Sequence, residues 1–162
     1  MERSDYFREL VEGPLYSFDA ADWSSSFSAI PRATAGVYTI WQADNLVYVG
    51  MSGRDDSKVA QAKENSELYG LAKRLKAHQS GARSGDQFCV YVADRLVIRS
   101  LTREQIELIS DGELSLDHLT RDYIHQNLKF RFVSTESADE SRSIENEIKD
   151  GALGQSPDLN PN

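Results

Sequence analysis

Two apolar runs, AGVYTIW (residues 35–41) and LVYVG (residues 46–50), flank the polar triplet Ala43-Asp44-Asn45. β-Branched and aromatic residues on either side of a short polar turn predict a β-hairpin. Each strand carries a tyrosine and a glycine, in Gly36-Val37-Tyr38 and Tyr48-Val49-Gly50. A tyrosine brings a hydroxyl that donates and accepts protons. A glycine lets backbone, side chain or ligand approach closely. Side chains alternate between faces along a strand, so loop length decides whether the tyrosines meet. With Ala43 to Asn45 as a three-residue loop, Ile40 lies opposite Tyr48 and Tyr38 opposite Gly50, and both tyrosines project from one face. A two-residue loop would separate them.

The rest of the chain reads as helices and two further strands. A helical start, Tyr6 to Val11, leads to Gly13-Pro14 and the cluster Ser24-Ser25-Ser26. Residues 1–30 form a lead-in segment that packs on the body through Trp23 and Phe27. Residues 51–65 are polar and read as a loop with a short helix. Leu68, Leu71, Ala72 and Leu75 recur at helical spacing, which predicts a helix over 67–79 ended by Gly81. Residues 87–93 (QFCVYVA) read as a strand. Thr102 and Gln105 have capping-box spacing for a helix over 102–109. Helices over 116–128 and 137–149 bracket KFRFVS (129–134), whose alternation predicts a strand with one wet face. The fold class expected is α/β of the α+β type, a small antiparallel sheet with flanking helices.

With 162 residues the chain suits one compact domain, residues 31–162 after the lead-in, and at 40% hydrophobic content it can bury a core. No apolar run is long enough for a membrane span, so no membrane partner is expected. The charged start MERSDYFREL lacks the apolar stretch of a signal peptide. The single cysteine, Cys89, excludes an internal disulfide and a cysteine-based zinc site, and suits a reducing, cytoplasmic setting. Net charge is −8, yet residues 32–99 carry 10 basic and 7 acidic side chains, while 1–31 and 100–162 are both acidic. Local charge is what contacts phosphate. The balance argues against general DNA coating and allows a small basic cleft.

Further along lie Arg74 and His78, one helical turn apart, then Glu145, then Asn160 near the end. Taken in order with the two tyrosine tripeptides, this set resembles the GIY-YIG nuclease family, and most closely its restriction-enzyme-like branches with an Arg-x-x-x-His pair. The strand 129–134 and the helix after it match the family's third core strand and its following helix. Residues 82–128 then read as an insertion.

The resemblance implies a metal-dependent endonuclease that hydrolyses phosphodiester bonds in DNA, with RNA left open. It implies Tyr38, Tyr48, Arg74, His78, Glu145 and Asn160 as catalytic residues. Glu145 would hold Mg²⁺ or Mn²⁺, with Glu147 as its rival. Arg74 would neutralise the phosphate by paired hydrogen bonds, with Arg54 as its rival. Tyr38 would position or deprotonate the attacking water, His78 would take a proton, and Tyr48 would bond phosphate or water. Asn160 would hold the site in place through its amide. Gly50, Ser52, Arg54, Lys76 and Arg83 are the expected substrate-binding residues. No separate recognition element is visible, so target choice would come from the insertion, a homodimer or a protein partner. The alternative is a catalytically inactive nucleic-acid-binding module, or a protein-interaction domain, of the same fold.

Overall fold

The computed structural model describes residues 1–161. Its hairpin consists of β3 (Gly36–Gln42) and β4 (Asn45–Ser52). Only Ala43 and Asp44 lie between the strands, so the loop has two residues, not three. The tyrosines nevertheless share a face. The register slips between Ile40 and Trp41: Ile40 pairs with Tyr48 and Trp41 with Leu46, leaving Val47 as the extra residue of a bulge. That one residue restores the parity which the short loop removes. Tyr38 lies opposite Gly50 as expected.

β3 is central. Its other side pairs with β6 (Lys129–Ser134), which in turn pairs with the short β1 (Tyr16–Ser17), giving an antiparallel sheet in the order β1-β6-β3-β4. A two-stranded parallel pair, β2 (Ala33–Thr34) and β5 (Tyr69–Gly70), completes the strands. The lead-in segment therefore supplies an edge strand as well as the expected packing of Trp23 and Phe27, with Trp23 6.4 Å from the Phe130 ring. Tyr16 stacks on Phe130 at 5.5 Å between ring centroids, and Phe18 sits 4.7 Å from the same ring.

Helices cover both faces. On one side α1 (Arg3–Glu12) and α8 (Ala138–Lys149) bury Tyr6, Leu10, Ile144 and Ile148 against Val37, Trp41, Val49 and Val133. On the other, α4 (Leu71–Ser80), α5 (Gln87–Val92) and α7 (Leu116–Asn127) bury Leu71, Leu75, Phe88 and Ile124 around Tyr38, Ile40 and Phe130. Each fully buried side chain of this size stabilises the fold by roughly 1.5–3 kcal/mol. The remaining helices are α2 (Trp23–Ser28), α3 (Asp56–Glu64) and α6 (Arg103–Ser110), the last closed by the expected Thr102–Gln105 capping box. No helix among the described residues is long and apolar enough to cross a membrane.

Two further expectations are corrected. Residues 87–93 are helical, not a strand: α5 runs on through a π-helical turn, Ala93–Val97. Phe88, Cys89, Val92 and Ala93 are all buried, a helical stripe which the β-branched composition hides. Residues 82–128 thus hold helices and no strand. The helix expected from residue 67 starts at Leu71, because Tyr69 and Gly70 pair with β2 first. Gly70 then turns the chain into α4 at φ +72°, a conformation that side chains with a Cβ rarely adopt.

Candidate active site

α4 presents Leu71, Ala72, Leu75 and His78 to the core along one stripe. His78 is therefore buried, with only 1% of its surface exposed, and lies beneath the sheet where Tyr38 projects. The Tyr38 hydroxyl and His78 Nε2 are 2.7 Å apart. His78 Nδ1 lies 2.6 Å from Oδ2 of Asp86. Asp86 sits just ahead of α5, and its second oxygen, Oδ1, accepts the backbone N–H groups of Phe88 and Cys89 at 3.1 and 3.5 Å. One buried carboxylate thus caps a helix and anchors a histidine. Asp86 is the residue that sequence reasoning missed. Its signal was there: an Asp immediately before an apolar stretch is an N-cap pattern.

The protonation states follow from burial and partners. Burial raises the Asp86 carboxyl, but the hydrogen bond from His78 and its charge, with the N–H of Cys89, outweigh this and hold it below the usual aspartate value. Burial lowers His78, the nearby Arg74 guanidinium adds to this, and Asp86 only partly offsets them. These directions favour an ionised Asp86 beside a neutral His78, either of whose ring nitrogens can carry the single proton. Tyr38 itself is held well above its ordinary value, first by burial and then by Tyr48, with Arg74 pulling the other way. Tyr48 is pushed up to about 12 by burial and by Glu145.

Tyr48 packs beside this chain, its ring centroid 6.3 Å from Tyr38 and 6.2 Å, edge-on, from His78. Phe88 closes over the imidazole at 4.5 Å. Gly50 explains how Tyr38 fits: a Cβ there would overlap the Tyr38 hydroxyl and ring. Tyr38, Tyr48, Gly50, Arg54, Arg74, His78, Asp86 and Glu145 line one cavity of about 120 Å³. Arg54 and Arg74 also line an adjoining cleft of about 340 Å³ with Ser52, Tyr69 and Lys73. No carboxylate lines that cleft.

Glu145 enters from the opposite layer. β4 is a sheet edge, and α8 crosses beside it, so Glu145 reaches past the edge into the cavity while its neighbour Ile144 stays in the core. Its carboxylate lies 3.3 Å from Lys149 Nζ, and its side chain is 14% exposed. Glu147 faces elsewhere, bonded to Ser143 and paired with Arg3 at 3.5 Å. Asn160 does not line the cavity. Its amide accepts from Val49 N–H at 2.9 Å and donates to Val49 C=O at 2.8 Å, mimicking a paired strand between Tyr48 and Gly50. Lys76 is exposed and lines neither cavity, and Arg83 is tied to Asp117. His125 bonds the Gln79 carbonyl and joins α7 to α4.

A divalent cation would find at Glu145 a single hard oxygen donor in a polar cavity. This suits a magnesium-like ion that keeps most of its water. Among the described residues, no three His, Cys, Asp or Glu side chains converge into a self-sufficient metal cage. Comparison with models of known protein families, with curated proteins and with solved structures finds no match to this chain.

Proposed function

We propose that this chain is a divalent-cation-dependent endonuclease of GIY-YIG type, hydrolysing phosphodiester bonds in DNA. What carries the reading is the hydrogen-bonded chain Tyr38–His78–Asp86 in one cavity with Tyr48, Arg74 and Glu145. The cavity opens against a cleft whose charged side chains are all cationic, which suits a polyanion.

Phosphodiester hydrolysis needs a deprotonated water and neutralised phosphate oxygens. Tyr38 takes the proton of the attacking water as its own passes to His78 Nε2. The net transfer is one proton from water to the imidazole, and the imidazolium is stabilised by Asp86. The water oxygen bonds to phosphorus, the bond from phosphorus to the leaving sugar oxygen breaks, and solvent protonates that oxygen. Arg74 neutralises the phosphate, with Arg54 on the cleft side. Glu145 would hold Mg²⁺ or Mn²⁺, which when bound supplies positive charge to the phosphate oxygens and to the leaving group. Lys149 balances the Glu145 carboxylate from its outer side.

The test is cleavage of supercoiled, linear and branched DNA with Mg²⁺ or Mn²⁺, wild type beside Glu145→Gln. We expect metal-dependent cutting that the variant loses while it stays folded, since glutamine keeps the size of the side chain and Lys149, about a third exposed, still reaches water. Cutting retained in Glu145→Gln would sink the ligand assignment. A second reading, a non-cleaving protein-interaction module whose acidic faces contact a basic partner, rests on the net charge of −8. It predicts no cutting with any metal.

A further inference from the structure

We propose that Asp86 is the positioning residue of this site: it fixes which nitrogen of His78 carries the proton, so that Tyr38 always faces an acceptor. The geometry leaves Asp86 no freedom. Oδ1 is held by the N–H groups of Phe88 and Cys89, and those donors can accept nothing. Only Oδ2 faces His78, at 2.6 Å from Nδ1. A carboxylate oxygen is acceptor-only, so Nδ1 must carry a proton, and in the neutral imidazole Nε2 is then the bare nitrogen. Nε2 is the atom 2.7 Å from the Tyr38 hydroxyl. The Tyr38 proton therefore has an acceptor in place before any substrate arrives.

The double duty of Asp86 makes the inference testable. Asparagine caps helices as well as aspartate does, so Asp86→Asn keeps α5 in place. The cap needs an acceptor, so the amide oxygen goes to Phe88 and Cys89 and the NH₂ group turns to His78. Nδ1 must then accept, the proton moves to Nε2, and Tyr38 meets a donor where it had an acceptor. A conservative replacement thus reverses the tautomer without removing a hydrogen bond.

The first readout needs no catalysis. Nitrogen-15 NMR of the imidazoles reports which ring nitrogen is protonated. The chain has three histidines, and a His78→Gln sample identifies the one that matters. At pH 7 we expect wild-type His78 neutral with its proton on Nδ1, and Asp86→Asn with it on Nε2. A wild-type His78 protonated at Nε2 or charged overturns the proposal, even if the variant does not fold. So does a folded Asp86→Asn with an unchanged tautomer.

The second readout rests on the nuclease reading. Single-turnover cleavage by Asp86→Asn should fall by about 100-fold or more, the share ascribed to proton transfer, while DNA affinity is unchanged because both Asp86 oxygens are already held by His78, Phe88 and Cys89. A weakened affinity with an intact rate constant would overturn the assigned role. If the tautomer reverses as expected but wild type cuts no DNA, the positioning role stands and the nuclease reading falls.

Discussion

Replacing Gly50 by alanine tests the packing that brings Tyr38 to His78, whatever the site does. Gly50 lies opposite Tyr38 in the hairpin, and its φ is not in the left-handed region, so alanine meets no backbone strain there. On backbone entropy alone the change would stabilise the fold by about 0.4–1 kcal/mol. The added methyl, however, would occupy the space of the Tyr38 hydroxyl and its ring carbon. Overfilling a packed core costs about 1–3 kcal/mol. If the ring yields, His78 Nε2 loses its partner while buried, which costs about another 1–3 kcal/mol. Set against the entropic gain, the expected net loss is about 1–5.5 kcal/mol, a large part of the ~5–15 kcal/mol by which a domain is stable. Urea unfolding followed by circular dichroism measures it. The decisive comparison is a double-mutant cycle with Tyr38→Phe. Tyr38→Phe alone also leaves Nε2 bare, at about 1–3 kcal/mol, so the double variant loses that bond only once, and it removes one of the two atoms on which the added methyl would press most closely. The two single losses should then exceed the double loss by about 1 kcal/mol or more, the signature of residues in contact. Additive losses, or a neutral Gly50→Ala, would refute the claim that this glycine exists to seat the tyrosine.

Stability should also depend on pH through His78. Its folded pKa lies below the ordinary 6.5, so below that pH the unfolded chain binds the extra proton and stability falls with pH, until the folded imidazole also protonates. Tyr38, Tyr48, Arg74, Asp86 and Glu145 face the same cavity; both tyrosines are held protonated here, and Asp86, lowered, adds a further loss only below its ordinary 3.8. Unfolding curves of His78→Gln should lack the limb just below pH 6.5; an unchanged limb would move the effect to other groups. Asn160→Ala removes two bonds to Val49, worth about 1–3 kcal/mol together, and should speed hydrogen exchange of the Val49 amide ahead of the interior β3 amides. Unaltered exchange there would mean that the tail does not hold the strand.

Most of this architecture is legible in local pattern, and the exceptions have physical causes. The hairpin register came out right although the loop length did not, since a bulge at Val47 cannot be read from residue types alone. Apolar β-branched residues in QFCVYVA obscure a helix whose burial is set by tertiary neighbours, where propensity is a weak guide. Tyr38, His78, Arg74 and Glu145 were legible as a set, and Asp86 as a helix cap, but its bond to His78 was not. Its role depends on two oxygens serving two different elements, a relation that exists only once α4 and α5 are packed. Arg83 shows the converse: a cation placed well by sequence is already paired with Asp117 on the neighbouring helix.

The candidate cavity lies where the two helical layers meet at the sheet edge. Tyr38, Tyr48 and His78 belong to one helical layer and Glu145 to the other, so they can share a cavity only where the sheet between them ends. β4 is that end, and an unpaired edge would expose the backbone that carries Tyr48 and Gly50. The tail covers it: Asp158 and Leu159 bond the carbonyls of Leu46 and Val47, Gln155 accepts from Leu46 N–H, and Asn160 takes both groups of Val49. The same edge must stay open one residue further on, because Gly50 and Met51 line the cavity that Glu145 enters. A side-chain amide does what a continuing strand could not. It satisfies one peptide unit and stops, leaving the next residues to the site.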